Sequence, residues 1–461
     1  MAAIAPINQL PLEILLEIFT VAMQSDDGSR RSESADGILS LSPNPHADPE
    51  VFAQVCQWWR EIATSATSLW TTIHIYKPQP QHLPKIALWF GRSGAHGLSI
   101  TVTQPVQGYQ KTQRPTQDAL ALLVTQAHRW QSIHFSLFGY DHQALSGMSL
   151  GDLPILESAS VFLGTWDQIN ADRFWSVVHA SPALRRANWG RSYSTMPTHV
   201  PWAQLTHLGF GCTLSLDSLL QFLELCPKVV ELNVAALTSP VWPLPDLRSQ
   251  PPLLLQHLRT MSFLRDPAEP LLDRLTLPSL KSLNIVHPSH RIPDSCQSFC
   301  DLLQRSSCQL EVLAIRDEYA TSGDLLRYLQ QPQLASLVKL VLHAPITDEV
   351  IVSLTHGERL ERTGGCLLPR LQVIELEYAY KSRFSDRVLP DMVASRMVRS
   401  DTVITPLQIV KVKVQPSHSV DDLTSLRQLG DRHEHLTVNA VQLATSIGFG
   451  RVMGIIGGRN D

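Results

Sequence analysis

Apolar residues near the start of the chain fall on a helical period. Ile14, Leu15, Ile18 and Phe19 share one side, while Glu13 and Glu17 take the other. Pro11 suits a first helical turn, where its missing N–H would be unpaired anyway, so the pattern predicts a helix starting near Leu10. A second set, Val51, Phe52, Val55, Trp58, Trp59 and Ile62, keeps helical spacing and predicts one further amphipathic helix. Between the two, Gln24 to Asp48 is polar, short of large apolar residues and bounded by Pro43, Pro45 and Pro49. It reads as a disordered surface loop.

From about residue 128 the pattern changes to a six-residue phrase with apolar residues at its first, fourth and sixth places. Clear examples are Leu205-Leu208-Phe210, Val229-Leu232-Val234, Leu258-Met261-Phe263, Leu280-Leu283-Ile285, Leu310-Leu313-Ile315, Leu337-Leu340-Leu342, Leu371-Ile374-Leu376 and Leu407-Val410-Val412. Weaker ones are Trp130-Ile133-Phe135, Leu156-Ala159-Val161 and Leu184-Ala187-Trp189. Helix-like segments lie between them, at Ser215–Cys226, Asp294–Cys308, Ser322–Gln330 and Asp348–Arg359. Strand alternating with helix predicts parallel βα units, either stacked as a solenoid or folded as a compact open sheet.

If the phrases are neighbouring parallel strands, their odd places share one face, because strand side chains alternate with period two. That face would carry Glu231, Asn233, Asn284, Arg316, Lys339 and His343, then Glu375 with Glu377 and Lys411 with Lys413. Glu375 would stand beside Lys411 and Glu377 beside Lys413, fixing register, whereas Arg316, Lys339 and His343 would stay free to receive an acidic segment of a target. Glu231, Asn233, Asn284, Arg316, Lys339 and His343 are therefore the candidate target-binding residues.

Three blocks carry a family resemblance: Leu-Pro-x-Glu-Ile-Leu-x-Glu-Ile-Phe from Leu10, Val55-Cys56-x-x-Trp59-Arg60, and Leu69-Trp70. In this order they resemble an F-box, although the insertion at 24–48 replaces a short turn. The resemblance implies docking on the adaptor of a cullin-RING ubiquitin ligase through Leu10, Pro11, Ile14, Leu15, Ile18, Val55, Cys56 and Trp59. A small helical unit buries little apolar surface, which also suits a partner; a plain hairpin capping the rest of the chain is the alternative. The repeated phrases resemble leucine-rich repeats, but the ninth place, where Asn or Cys is usual, holds Thr213, Leu237, Asp266, Pro288, Glu318, Pro345 and Ala379.

Composition narrows the function. Charged residues are 17% against a typical quarter, so burial must be extensive in this chain of 461 residues. A net charge of −4 without any Lys/Arg run argues against nucleic acid. Seven cysteines in no pairing pattern, no glycosylation sequon and no cleavable leader point to the cytoplasm or nucleus. Leu436 to Gly458 is too interrupted for a membrane span. Cys296, Cys300 and Cys308 with His287 and His290 invite a zinc site, but Cys296 and Cys300 fall on an apolar helical face and read as core. Asp431-Arg432-His433-Glu434-His435 is not a zincin motif, and the glycines of Gly448–Gly454 lack phosphate-loop spacing.

The sequence thus predicts an α/β protein: an N-terminal helical F-box over residues 1–77, an irregular leucine-rich-repeat-like α/β solenoid with a parallel sheet over 78–415, and a C-terminal helical cap and flexible tail over 416–461. The expected function is a substrate-recognition subunit of a cullin-RING (SCF-type) ubiquitin ligase, not an enzyme, with no catalytic, metal or cofactor residues. Its expected partners are the F-box-binding adaptor and an unknown target protein, with no nucleic acid and no membrane. The alternatives are a non-degradative scaffold of the same architecture and an enzyme with a site on the repeat loops.

Overall fold

Every apolar phrase carries a β-strand in the computed structural model. It describes residues 7, 10–24, 49–105, 109–138, 143–164, 166–190, 199–238, 251–264, 269–287, 295–356, 367–378, 385–397, 405–414 and 420–442. The expected loop beyond Gln24, His290 and the glycine-rich tail lie outside these residues. The chain divides into two compact units, Met1–Leu214 and Ser215–Asp461, and this division falls inside the stretch expected as one solenoid.

The N-terminal unit begins with helices α1 (Leu12–Gln24), α2 (Pro49–Val55) and α3 (Gln57–Ser65). Six parallel strands follow and pair in chain order: β1 (Thr72–Tyr76), β2 (Leu98–Thr103), β3 (Trp130–Leu137), β4 (Ser158–Leu163), β5 (Arg186–Trp189) and β6 (His207–Leu214). Helices α4 (His82–Ser93), α5 (Tyr109–Val124), α6 (Gln143–Ser146) and α7 (Gln168–His179) make the returns. The fourth places of the phrases align in one row, Ile73, Ile100, Ile133, Ala159, Ala187 and Leu208, all buried. Ile73, Ile100, Ile133 and Leu208 each contribute roughly 1.5–3 kcal/mol by burial, so a register slip that exposed this row would be heavily penalised.

Two of these strands precede residue 128. Trp70, Ile73 and Ile75 obey the phrase, but the tryptophan already belongs to the helical block by sequence; it serves both. Its ring is fully buried, its indole N–H donates to the Ala63 carbonyl at 2.7 Å, and it meets Trp89 edge-on at 4.5 Å. The Arg92 guanidinium lies 4.3 Å over its face, and Lys85 of α4 pairs with Glu50 of α2 at 3.0 Å. A boundary at residue 77 would therefore cut after the first strand of the ladder. The β2 phrase has Gly97 at its first place; a register shift between Leu98 and Ser99 puts buried Leu98 there instead.

In the C-terminal unit the ladder runs β7 (Glu231–Leu237), β9 (Thr260–Phe263), β11 (Ser282–Val286), β12 (Val312–Arg316), β13 (Lys339–Ala344), β14 (Val373–Tyr378), β15 (Ile409–Val414) and β16 (Thr437–Gln442). Two short strands, β8 (Leu253–Leu254) and β10 (Leu275–Thr276), pair separately. The fourth-place row is Leu232, Met261, Leu283, Leu313, Leu340, Ile374, Val410 and Val438. Helices α8 (Leu216–Glu224), α9 (Glu269–Leu272), α10 (Ser295–Ser306), α11 (Ser322–Leu329), α12 (Asp348–Ser353), α13 (Val388–Ser395) and α14 (Val420–Arg432) lie between strands. The expected helical cap after residue 416 is instead α14 followed by another paired strand. His435 holds the first place of that last phrase, and Leu436 is buried beside it.

Candidate functional site

Helix α1 starts at Leu12, with the N–H groups of Ile14 and Leu15 donating to the Pro11 carbonyl at 3.1 and 3.2 Å. Pro11 thus lies just before the helix and accepts its first bonds, and the helix starts two residues after the expected Leu10. Leu15, Phe19 and Met23, spaced i, i+4, i+8, are buried; Ile14, Ile18 and Val21, spaced i, i+4, i+7, form a separate exposed line. Ile14 is 49% exposed and Leu15 0%. Leu15 therefore corrects the expected docking set: its side chain belongs to the interior and presents nothing to a partner. Pro11, Ile18 and Val55 are exposed, while Leu10, Cys56 and Trp59 are half-buried.

The second expected helix is two. Cys56 is extended (φ −158°, ψ 172°) and caps α3, its sulfur accepting the Trp59 N–H at 3.4 Å, while Arg60 Nε donates to the Ala53 carbonyl at 2.9 Å. Cys56 is thus a joint between α2 and α3. Trp59 points into an aromatic cluster: its ring lies 4.8 Å from Phe19 and 6.5 Å from Phe52, and Phe19 stacks on Phe52 at 4.3 Å. Such pairs contribute about 0.5–1.5 kcal/mol beyond area burial, which makes Trp59 mainly a core residue. The exposed tryptophan is Trp58, at 43%, with Val55 at 58% and Val51 also exposed. Val51, Val55 and Trp58 repeat the i, i+4, i+7 spacing, the signal by which Trp58 could have been found.

On the strand face of the C-terminal unit the expected register pairs form. Glu375 stands opposite Lys411 with Nζ at 3.2 Å, and Glu377 opposite Lys413 at 3.6 Å. Lys339, expected to be free, is bound to Glu375 at 2.8 Å, because a diagonal neighbour two residues along is within reach of a lysine. His343 is also flanked by carboxylates, Glu377 at 3.5 Å and Glu318 at 3.9 Å. Burial pushes the Glu375 carboxyl up, but the bonds and charges of Lys339 and Lys411 outweigh it and hold the group below the usual range. Asn233 donates to Glu231 at 2.8 Å, and Asn284 to the Ser262 hydroxyl at 3.0 Å. Arg316 is exposed at the end of β12.

Of the residues that invite a zinc site, His287 is engaged by other side chains. His287 Nδ1 lies 3.0 Å from Glu269 Oε1, an ion pair without hydrogen-bond alignment, and Nε2 lies 3.0 Å from the Tyr328 hydroxyl. Burial lowers the imidazole pKa, but Glu269, with Asp317 and Asp324 behind it, raises it above the ordinary value. That pair stabilises the fold below the unfolded histidine pKa, and its contribution is lost as pH rises through the folded value. Among the described residues no group of three or more His, Cys, Asp and Glu is arranged to hold a metal ion, and no helix is long and apolar enough to cross a membrane. No family model matches the chain, and comparison with curated proteins gives no match.

Proposed function

We propose that this protein is a substrate receptor of a cullin-RING ubiquitin ligase. Its N-terminal helices dock on the ligase adaptor, and its strand face selects a protein for ubiquitination. The supporting observation is the exposed line Ile14, Ile18 and Val21 on α1, together with Val51, Val55 and Trp58 on α2 and α3. A role as a mere cap on the first strand accounts for the buried side chains Leu15, Phe19, Phe52, Ile62 and Trp70. It leaves the exposed lines unexplained, and exposed apolar side chains in such series mark interaction sites. The chain itself contributes proximity and orientation, with catalysis supplied by the other ligase subunits. On the target side, Lys339 is committed to Glu375, so recognition rests on Arg316 and on the hydrogen-bonding groups of Glu231, Asn233, Asn284 and His343.

Replacing Ile14 and Ile18 by Asp tests the docking half. Both side chains are exposed, so the variant should fold, which circular dichroism checks; two carboxylates stripped of water at the interface should lower adaptor affinity at least ~100-fold. Co-purification of the folded double variant with the adaptor at wild-type level would refute the reading. Reconstituted ubiquitination of a captured target separates a ligase receptor from a non-degradative scaffold.

A further inference from the structure

Helix α10 carries two thiols one turn apart, Cys296 and Cys300, with their sulfurs 3.7 Å from each other. Cys296 is 1% exposed, whereas Cys300 is partly open to solvent. Phe299 and Leu303, both fully buried, lie on the same helix and explain why an apolar residue is wanted near position 296. They do not explain a second sulfur at 300 turned toward the first.

We propose that Cys296 and Cys300 are an oxidant-sensitive pair in which Cys300 reacts with a hydroperoxide and Cys296 then closes a disulfide. The chemistry balances with hydrogen peroxide as the oxidant. The Cys300 thiolate attacks one peroxide oxygen; an S–O bond forms, the O–O bond breaks, and hydroxide leaves to become water on taking a proton. The Cys296 sulfur then attacks the sulfur of the Cys300 sulfenic acid. The S–S bond forms, the S–O bond breaks, and the departing oxygen leaves as a second water, carrying the Cys296 proton. Two thiols lose two electrons in all, and one peroxide becomes two waters.

The division of roles follows from position. Cys300 is the sulfur an oxidant can reach. Either sulfur can donate across the 3.7 Å contact, and the arrangement with the Cys296 S–H donating favours the thiolate at the more open Cys300; burial and Asp301 oppose this, the nearby Arg327 guanidinium supports it, and the Cys300 thiol is held below its ordinary pKa. Cys296 is correspondingly pushed up, first by that bond and then by burial, and remains the thiol that waits. Cys226 and Cys308 offer the internal contrast: both are buried, and burial raises them to about 12 and about 11.

A disulfide needs sulfurs about 2.05 Å apart and Cβ atoms roughly 3.5–4.5 Å apart. Residues one helical turn apart have Cβ atoms some 5–6 Å apart, so the bond cannot close on an intact turn. Cys296 is the second residue of α10, where backbone N–H groups have no intrahelical acceptor, so unwinding the first turn breaks few helical hydrogen bonds and gives up chiefly the burial of Cys296. Closure would draw Cys296 out of its buried place and loosen α10 from α11, to which it is joined by the Phe299–Tyr328 edge contact at 5.0 Å and the Arg327–Gln297 bond at 3.3 Å.

The test uses the full chain, exposed to hydrogen peroxide and digested without reductant. The peptide bearing both cysteines should lose two hydrogens by mass, and the first turn of α10 should exchange its amide protons faster. Cys296→Ser should stop at a dimedone-reactive sulfenic acid on Cys300, and Cys300→Ser should leave Cys296 unmodified. In the reduced, folded wild type, Cys300 should alkylate at least about tenfold faster than Cys226 and Cys308. Three outcomes would each overturn the proposal: a wild-type peptide that keeps both hydrogens, oxidation of Cys296 in the Cys300→Ser chain, and alkylation of Cys300 no faster than the buried thiols.

Discussion

Each unit builds the odd-place face of its own parallel ladder from different materials. Across β4, β5 and β6 it carries Ser158, Ser160, Phe162, Arg186, Asn188, Gly190, His207, Gly209 and Gly211, with the glycines at its fifth and seventh places; across β13, β14 and β15 it carries Lys339, Val341, His343, Val373, Glu375, Glu377, Ile409, Lys411 and Lys413, with the charges concentrated at those same places. In the first, a large side chain on one strand leans over a glycine on the next. A Cβ on Gly190 would come within 2.7 Å of Phe162 Cβ and 2.8 Å of its Cα, and one on Gly209 within 2.6 Å of Asn188 Cγ. In the second, opposite charges alternate from strand to strand, with Glu375 between Lys339 and Lys411. In-register parallel strands stack like places on one another, so something must prevent crowding or like-charge repulsion. One unit leaves side chains out, and the other alternates their sign. Both are compatible with one register because the buried rows on the other face set it.

The largest expected effect tests the crowded half. Gly190→Ala places a methyl group against backbone that cannot swing away, and should cost about 1–3 kcal/mol in chemical denaturation, the range for overpacking. A variant as stable as the wild type would mean that the leaning side chain has space, and the contrast between the units would lapse.

The charged half should respond more gently. Glu375→Gln removes the centre of two cross-strand pairs at roughly 0.2–1 kcal/mol each. Because the folded carboxyl pKa is depressed, its contribution is present above the unfolded value near 4.3 and disappears as pH falls through the folded one. Unfolding curves of wild type and Glu375→Gln should therefore run apart at neutral pH and converge as pH falls through the depressed folded pKa. Curves that stay parallel into acid would show that Glu375 contributes by packing, not by charge.

The smallest effect is a control within the crowded unit. Gly91 in α4 has nothing within 4 Å of a new Cβ, so Gly91→Ala should stabilise by about 0.4–1 kcal/mol, read as a rise in the midpoint of thermal unfolding. A loss of stability there would mean that glycines in this unit are sensitive for a reason other than neighbouring side chains.

Register was legible in the sequence because three apolar places in six leave little freedom: the fourth-place residues from Ile133 to Leu208, and again from Leu232 to Val410, align as the phrases predict. Apart from the separate two-residue strands β8 and β10, the strands the phrase does not mark are those whose first place is lost. Trp70 was already claimed by a helical block, Gly97 hands its place to Leu98 through a bulge, and His435 is polar. The docking face was half legible. Ile14 and Leu15 are both apolar and adjacent, and helical periodicity marks an apolar arc wider than the part that is buried. The break at Cys56 was hidden because the two helices it joins continue the same spacing on either side of a single residue. Lys339 has no charged partner at its own place, which pairs with Val373, and its bond to Glu375 is invisible to a like-place alignment because lysine reaches diagonally.

Trp70 limits how this protein can be taken apart. Its indole is held by α3, its face is covered by Arg92, and its edge meets Trp89, so one ring is shared by the last helical turn and the first strand's return. An engineer who transplanted residues 10–65 onto another scaffold would leave behind the ring that sets their attitude. The portable module ends after α4, because only there does it include every group that holds this ring in place.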